Sequence, residues 1–208
     1  YILDSGWYNA SIKVLSKTGQ CLQHKTNISY PTWAGYRITK FSAIAVNENY
    51  VFLGTGGCSF YCNVSYEAAG SITVLRRSNL SYVTRINTAG RNIKDITSLT
   101  VNSDGTKLLV TSKFGHGGYP PRVATFNIQS NGSLNFERFF GNTSSKCYGS
   151  TCSNGYHNRP MDAAFDSSGN VYYTSVGTHA VYKINPDTCS ESKLVGSWST
   201  SSGFRYPY

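Results

Sequence analysis

Four side chains in this sequence have the types and settings to do chemistry: His116, His157, His179 and Asp162. The histidines lie in long Gly-rich segments, at residues 114–121, 147–157 and 177–179. Three neutral imidazoles brought to one rim can hold a transition metal and activate a bound water or substrate. No carboxylate–histidine spacing ties them together, so exposed loop histidines are the plainer reading. Asp162 stands at the start of an expected strand, where a carboxylate also serves to bond or cap a neighbouring loop. The sequence has no Gly-x-Ser-x-Gly and no His-Glu-x-x-His, and the run Gly54-Thr-Gly-Gly57 is too short for a phosphate loop. No catalytic residue and no cofactor are assigned from these signals.

The cysteines bound the compartment. Cys58/Cys62 and Cys147/Cys152 are two close pairs in Gly-, Ser-, Tyr- and Asn-rich stretches. Neither has the two-residue spacing of a zinc knuckle, so both read as loop-closing disulfides. Cys21 and Cys189 are left to pair with each other or to bridge to another chain. Six Asn-x-Ser/Thr sequons, at Asn9, Asn27, Asn63, Asn79, Asn131 and Asn142, all fall near expected loops or turns. Disulfides and sequons together predict a secreted, extracellular, eukaryotic glycoprotein. No run of about 18 apolar residues occurs, so no membrane-spanning helix is expected.

The net charge is +9, and the basic residues are scattered, with Arg76-Arg77 the one adjacent pair. A basic solvated surface and a polyanionic partner such as an acidic glycan both fit. No nucleic-acid-binding motif accompanies the charge, and nucleic acid is set aside. Sixteen Tyr and three Trp (Trp7, Trp33, Trp198) either pack between strands or stack on sugars.

These residues must be positioned by strands, and the strands repeat. Residues 41–54, 96–112 and 161–175 each read as a short strand, a turn and a second strand. Their turns carry Asn-Glu-Asn, Ser-Asp-Gly and Ser-Ser-Gly-Asn, which supply the Asx or left-handed backbone that hairpins need. A third strand follows each time (71–75, 122–128, 180–184), then a fourth (82–86, 134–140, 192–198). Four antiparallel strands repeated in this order mark the blades of a β-propeller. The all-β chain is therefore one propeller region: a partial blade at 1–34, blades at 35–92, 93–157 and 158–202, and the start of another at 203–208. The first unit lacks its first strand, and residues 203–208 resemble the lead-in at 35–41. The expectation is about three complete blades of a larger ring of six or seven. A mature, processed or incomplete chain fits the absence of a starting Met and leader.

Residues 159–184 resemble an NHL-type propeller repeat, and 101–112 with 123–134 resemble the blades of lactonase-like propellers. Amidating lyases of the NHL type use His ligands to metal, which the resemblance would carry to His116, His157 and His179. Calcium-dependent lactonase-like propellers converge oxygen ligands on their first strands, which would involve Asp162. The matching positions in the other units are Ser98 and a residue near Ala43, so the carboxylate cluster is missing. The favoured function is a non-enzymatic structural or adhesive module, as in a filament or surface assembly, whose partners are other protein chains. A metal-dependent lactonase, esterase or lyase and a carbohydrate-binding propeller are the alternatives.

Overall fold

The computed structural model describes residues 1–5, 10–29, 32–33, 36–37, 40–56, 70–88, 93, 95–112, 122–140, 160–176, 178–188 and 191–196. The described strands form successive antiparallel sheets, each made from consecutive strands. The first sheet has three strands, β1 (Ile2–Ser5), β2 (Ala10–Leu15) and β3 (Cys21–Ile28). A short hairpin, β4 (Thr32–Trp33) and β5 (Tyr36–Arg37), precedes the second sheet and was not expected from the sequence.

The second sheet is β6 (Phe41–Val46), β7 (Tyr50–Thr55), β8 (Ser71–Arg76) and β9 (Tyr82–Asn87). The third is β10 (Ile96–Val101), β11 (Lys107–Ser112), β12 (Arg122–Ile128) and β13 (Leu134–Phe140). The fourth is β14 (Pro160–Phe165), β15 (Val171–Ser175), β16 (Ala180–Ile184) and β17 (Glu191–Val195). β6, β10 and β14 lie side by side across neighbouring sheets, with β1 next to β6.

The hairpin turns form as their residue types dictate. Asn47 Oδ1 accepts the amides of Asn49 and Tyr50, and Asp166 Oδ1 accepts those of Ser168 and Asn170. Gly169 takes a positive φ in the Asp166 turn, as Gly105 does in the turn between β10 and β11.

The two-residue period of a strand sends alternate side chains into different cores. On β7, Val51 and Leu53 join Ile12, Phe41 and Leu75 between the first and second sheets. Tyr50 and Phe52 point the other way, to Leu108, Val110 and Phe126 of the third sheet. On β11, Leu109 turns to Val171 and Tyr173 of the fourth. Sheet therefore packs face to face on sheet, and β7 is buried along its whole length. Some glycines stand where no side chain fits. A Cβ on Gly70 would lie 2.0 Å from the Ile93 carbonyl, and one on Gly132 (φ +85°) would meet the Tyr50 ring at 2.8 Å.

Candidate functional site

β6, β10 and β14 each carry a bulge just after their first residue. Phe41 pairs with Thr55 and Ala43 with Gly54, which leaves Ser42 extra. Ile96 pairs with Ser112 and Ser98 with Thr111, leaving Thr97. Pro160 pairs with Ser175 and Ala163 with Tyr173, placing Met161 and Asp162 opposite one residue. A bulge re-aims its side chain out of the ladder. Here the bulged residues and their neighbours line a cleft of about 340 Å³, formed by residues 42–44 of β6, 97–99 of β10, and 161–162 of β14.

The hydroxyls in this cleft are used between sheets. Ser42 Oγ donates to the carbonyl of Ile96, and Thr97 Oγ1 donates to that of Pro160 (3.2 Å). Ser5 Oγ makes the corresponding bond to Phe41 O from the end of β1. Thr100 Oγ1 adds a bond to Ala163 O at 2.7 Å. Each first-strand carbonyl freed by a bulge is thus met by a hydroxyl of the preceding sheet, as a half-buried carbonyl requires.

Asp162 is exposed in the cleft. Its Oδ1 accepts the Ser98 hydroxyl at 2.5 Å and its neighbour's amide, Ala163 N, at 2.9 Å. Calcium takes six to eight oxygen ligands, several of them carboxylates. The matched positions do not fit that set: Asp162 alone carries charge, Ser98 spends its proton on Asp162, and Ala43 has no side-chain oxygen. No cluster of three His, Cys, Asp or Glu side chains able to share a metal occurs among the described residues.

The other candidates divide between the described residues and the rest. His179 is half-buried in the turn between β15 and β16 with φ 51°. His116 and His157 lie outside the described residues, and so do Cys58, Cys62, Cys147, Cys152 and Cys189. Cys21 is an exposed thiol, its Sγ 3.5 Å from Gln23 O. Asn79 and Asn131 are exposed in equivalent turns, between third and fourth strands. The side-chain oxygen of each accepts the amide of the sequon serine, Ser81 or Ser133, at 2.9 Å. Ser133 Oγ also bonds Asn131 Oδ1 at 2.8 Å. Asn27 is exposed near the end of β3 with φ 57°. Asn9, Asn63 and Asn142 fall outside the described residues, as do Trp7 and Trp198.

Sequence reasoning passed over the hydroxyls. Its missed signal was the Ser or Thr closing β1, β7, β11 and β15: Ser5, Thr55, Ser112 and Ser175. Three of these, Thr55, Ser112 and Ser175, are fully buried. Thr55 Oγ1 accepts Ser71 N at 2.9 Å and donates to Ser71 O.

Successive four-stranded antiparallel sheets packed face to face, with their first strands side by side, define a β-propeller. Solved structures place its likeness among lactonase-like and other propellers. The chain matches the β-propeller domain of Cps50 (Swd1) from Myceliophteria thermophila with a TM-score of 0.54 at 14% identity, over 91% of this chain and 57% of that one. A gluconolactonase from Xanthomonas campestris matches with a TM-score of 0.52 at 14% identity, over 93% and 56%. A protein of unknown function from Bacteroides caccae matches with a TM-score of 0.50 at 15% identity, over 93% and 57%. The chain thus spans a little over half the length of these structures, and at such identities the likeness is one of fold. No protein-family model matches the sequence, and no curated protein matches it.

Proposed function

We propose that this propeller is a secreted, N-glycosylated module with a structural or adhesive role, working with other protein chains rather than as a catalyst. The commitment of the cleft hydroxyls carries the reading. Ser42 and Thr97 occupy the cleft between the first strands, and their hydroxyls are bonded to the carbonyls of Ile96 and Pro160, that of Thr97 also to Thr111 Oγ1 at 2.8 Å. They hold sheets together where an enzyme would present ligands. The exposure of Asn79 and Asn131 in turns of neighbouring sheets supports glycosylation, since a glycan attached there reaches solvent without displacing core.

A second reading, a metal-dependent lactonase, esterase or lyase, draws on the exposed Asp162 in its cleft and on the fold shared with a gluconolactonase. Both readings are of a secreted protein, and a lactone-hydrolysis assay on the protein expressed through a eukaryotic secretory pathway separates the two. The structural reading expects glycan mass to fall stepwise in Asn79→Gln and Asn131→Gln, with no lactone hydrolysis above buffer. Lactone hydrolysis that disappears in Asp162→Asn would establish the enzyme instead.

A further inference from the structure

The positive charge of this protein is unevenly opposed. Between Asp4 and Glu48, and again between Glu67 and Asp95, the sequence has no Asp or Glu, and these two stretches hold ten Lys and Arg residues. From Asp95 onward, nine Lys and Arg face seven carboxylates. The fold brings the acid-free stretches together. One supplies β2 and β3, the outer strands of the first sheet; the other supplies β8 and β9, the outer strands of the second.

The strand registers show what faces the groove between β3 and β9. Lys25 pairs with Ile12, whose side chain is in the core between these two sheets, so Lys25 lies on the face toward the second sheet. Arg85 pairs with Thr73, which pairs with Leu53 of that same core, so Arg85 lies on the face toward the first. Tyr82 pairs with Leu75 on this side and is 61% exposed.

Two hydrogen bonds lace the groove: Gln23 Nε2 donates to Ser78 O at 2.7 Å, and Arg85 Nη2 donates to Ser29 O at 3.2 Å. Arg85 Nε also donates to Thr73 Oγ1 at 3.0 Å, which fixes the guanidinium. Arg77, exposed in the turn between β8 and β9, donates through Nε to Tyr1 Oη at 3.0 Å and through Nη1 to the backbone carbonyls of Asn47 and Glu48 at 3.4 Å.

We propose that the groove between β3 and β9 binds an acidic polysaccharide, with Lys25, Arg77 and Arg85 meeting its sulfate or carboxylate groups and Tyr82 stacking on a sugar ring. A cluster of cations raises the local concentration of a linear polyanion. Guanidinium groups match the geometry of sulfate and carboxylate oxygens. A tyrosine with its ring in water and its backbone in a strand offers a rigid apolar face at little entropic cost. One exposed ring suits a sugar chain better than a single-stranded nucleic acid, which is bound on successive stacking rings. The choice of polysaccharide among polyanions rests on the extracellular reading above; the groove itself does not.

The test is retention of the full 208-residue chain on immobilised heparin, with neutral dextran as the control surface. Heparin binding that weakens as salt rises is expected. The double variant Lys25→Gln/Arg77→Gln should lose at least about tenfold in affinity, and Tyr82→Ala should weaken binding without changing its salt dependence. A matched pair on the fourth sheet, Lys183→Gln/Lys193→Gln, should change affinity less than about twofold. Thermal melts confirm that each variant folds. Absence of heparin binding at about 50 mM salt overturns the proposal, as does equal loss from the fourth-sheet pair. Equal or tighter binding to single-stranded DNA or to phosphatidylserine vesicles overturns the polysaccharide assignment. Glycan occupancy at Asn79 and Asn131 is read separately, so a failure here and a failure of the extracellular reading are distinguishable.

Discussion

Ser42, the bulged residue of β6, donates its hydroxyl to the backbone carbonyl of Ile96, the first residue of β10. The bond repeats one sheet later from Thr97 to Pro160, between the same positions of the repeat. Bulge and hydroxyl belong together, because the bulge frees a carbonyl and the hydroxyl satisfies it.

Ser42→Ala leaves the Ile96 carbonyl without that donor. The expected loss is about 1 kcal/mol, a fall in melting temperature of roughly 2–4 °C. Ser42→Thr, which keeps the hydroxyl, should recover most of it. Calorimetry of the two variants checks the assignment, and equal melting of Ser42→Ala and the parent would refute it.

Gly70 and Gly169 should respond differently to alanine. At Gly70 the new Cβ would lie 2.0 Å from the Ile93 carbonyl, in a segment where Thr88 also bonds Gly70 O and Ile93 O. Backbone must shift, and a cost above about 3 kcal/mol is expected. Gly169 has open space around it and only its φ of +81° to strain, about 1–2 kcal/mol. Denaturant titrations of both variants should rank them in that order.

Tyr50 reaches from β7 to the turn between β12 and β13, its hydroxyl donating to Ser130 O at 2.6 Å. Its ring also lies against Gly132. Tyr50→Phe removes the bond and keeps the ring, so a loss of about 1 kcal/mol is expected. Hydrogen exchange should quicken at the amides of Gly132 and Ser133 more than in the turn at Asp166.

The turn carboxylates predict a loss of stability in acid. The side chain of Asn170, then its amide, Tyr172 and the amide of Ser168, lower the Asp166 pKa against a smaller opposing desolvation. Thr106 does the same for Asp104 through its hydroxyl and amide. A carboxylate whose pKa is depressed on folding stabilises above its unfolded value, about 4, and loses that contribution as pH falls through the folded value. Melting temperature should therefore drop below about pH 4. Asp104→Asn/Asp166→Asn, which keeps an acceptor oxygen and removes the titration, should flatten that decline. An unchanged acid limb in the double variant would count against these two groups.

What the sequence determined by itself was the repeat. Turn chemistry at Asn47, Ser103-Asp104-Gly105 and Asp166 and the two-residue period of the strands fixed where the hairpins lie, because both are local properties of a few neighbouring residues. Val51 and Phe52 are adjacent apolar residues in the sequence, and nothing local says that one belongs to the core with the first sheet and the other to the core with the third. That division, the partners of Ser42 and Thr97, the isolation of Asp162 beside Ser98 and the bond from Arg85 to Ser29 were decided by the packing of sheet on sheet. The four hydrogen bonds each join residues more than fifty positions apart, and a contact of that range follows from how whole elements bury their faces rather than from the residues' own preferences.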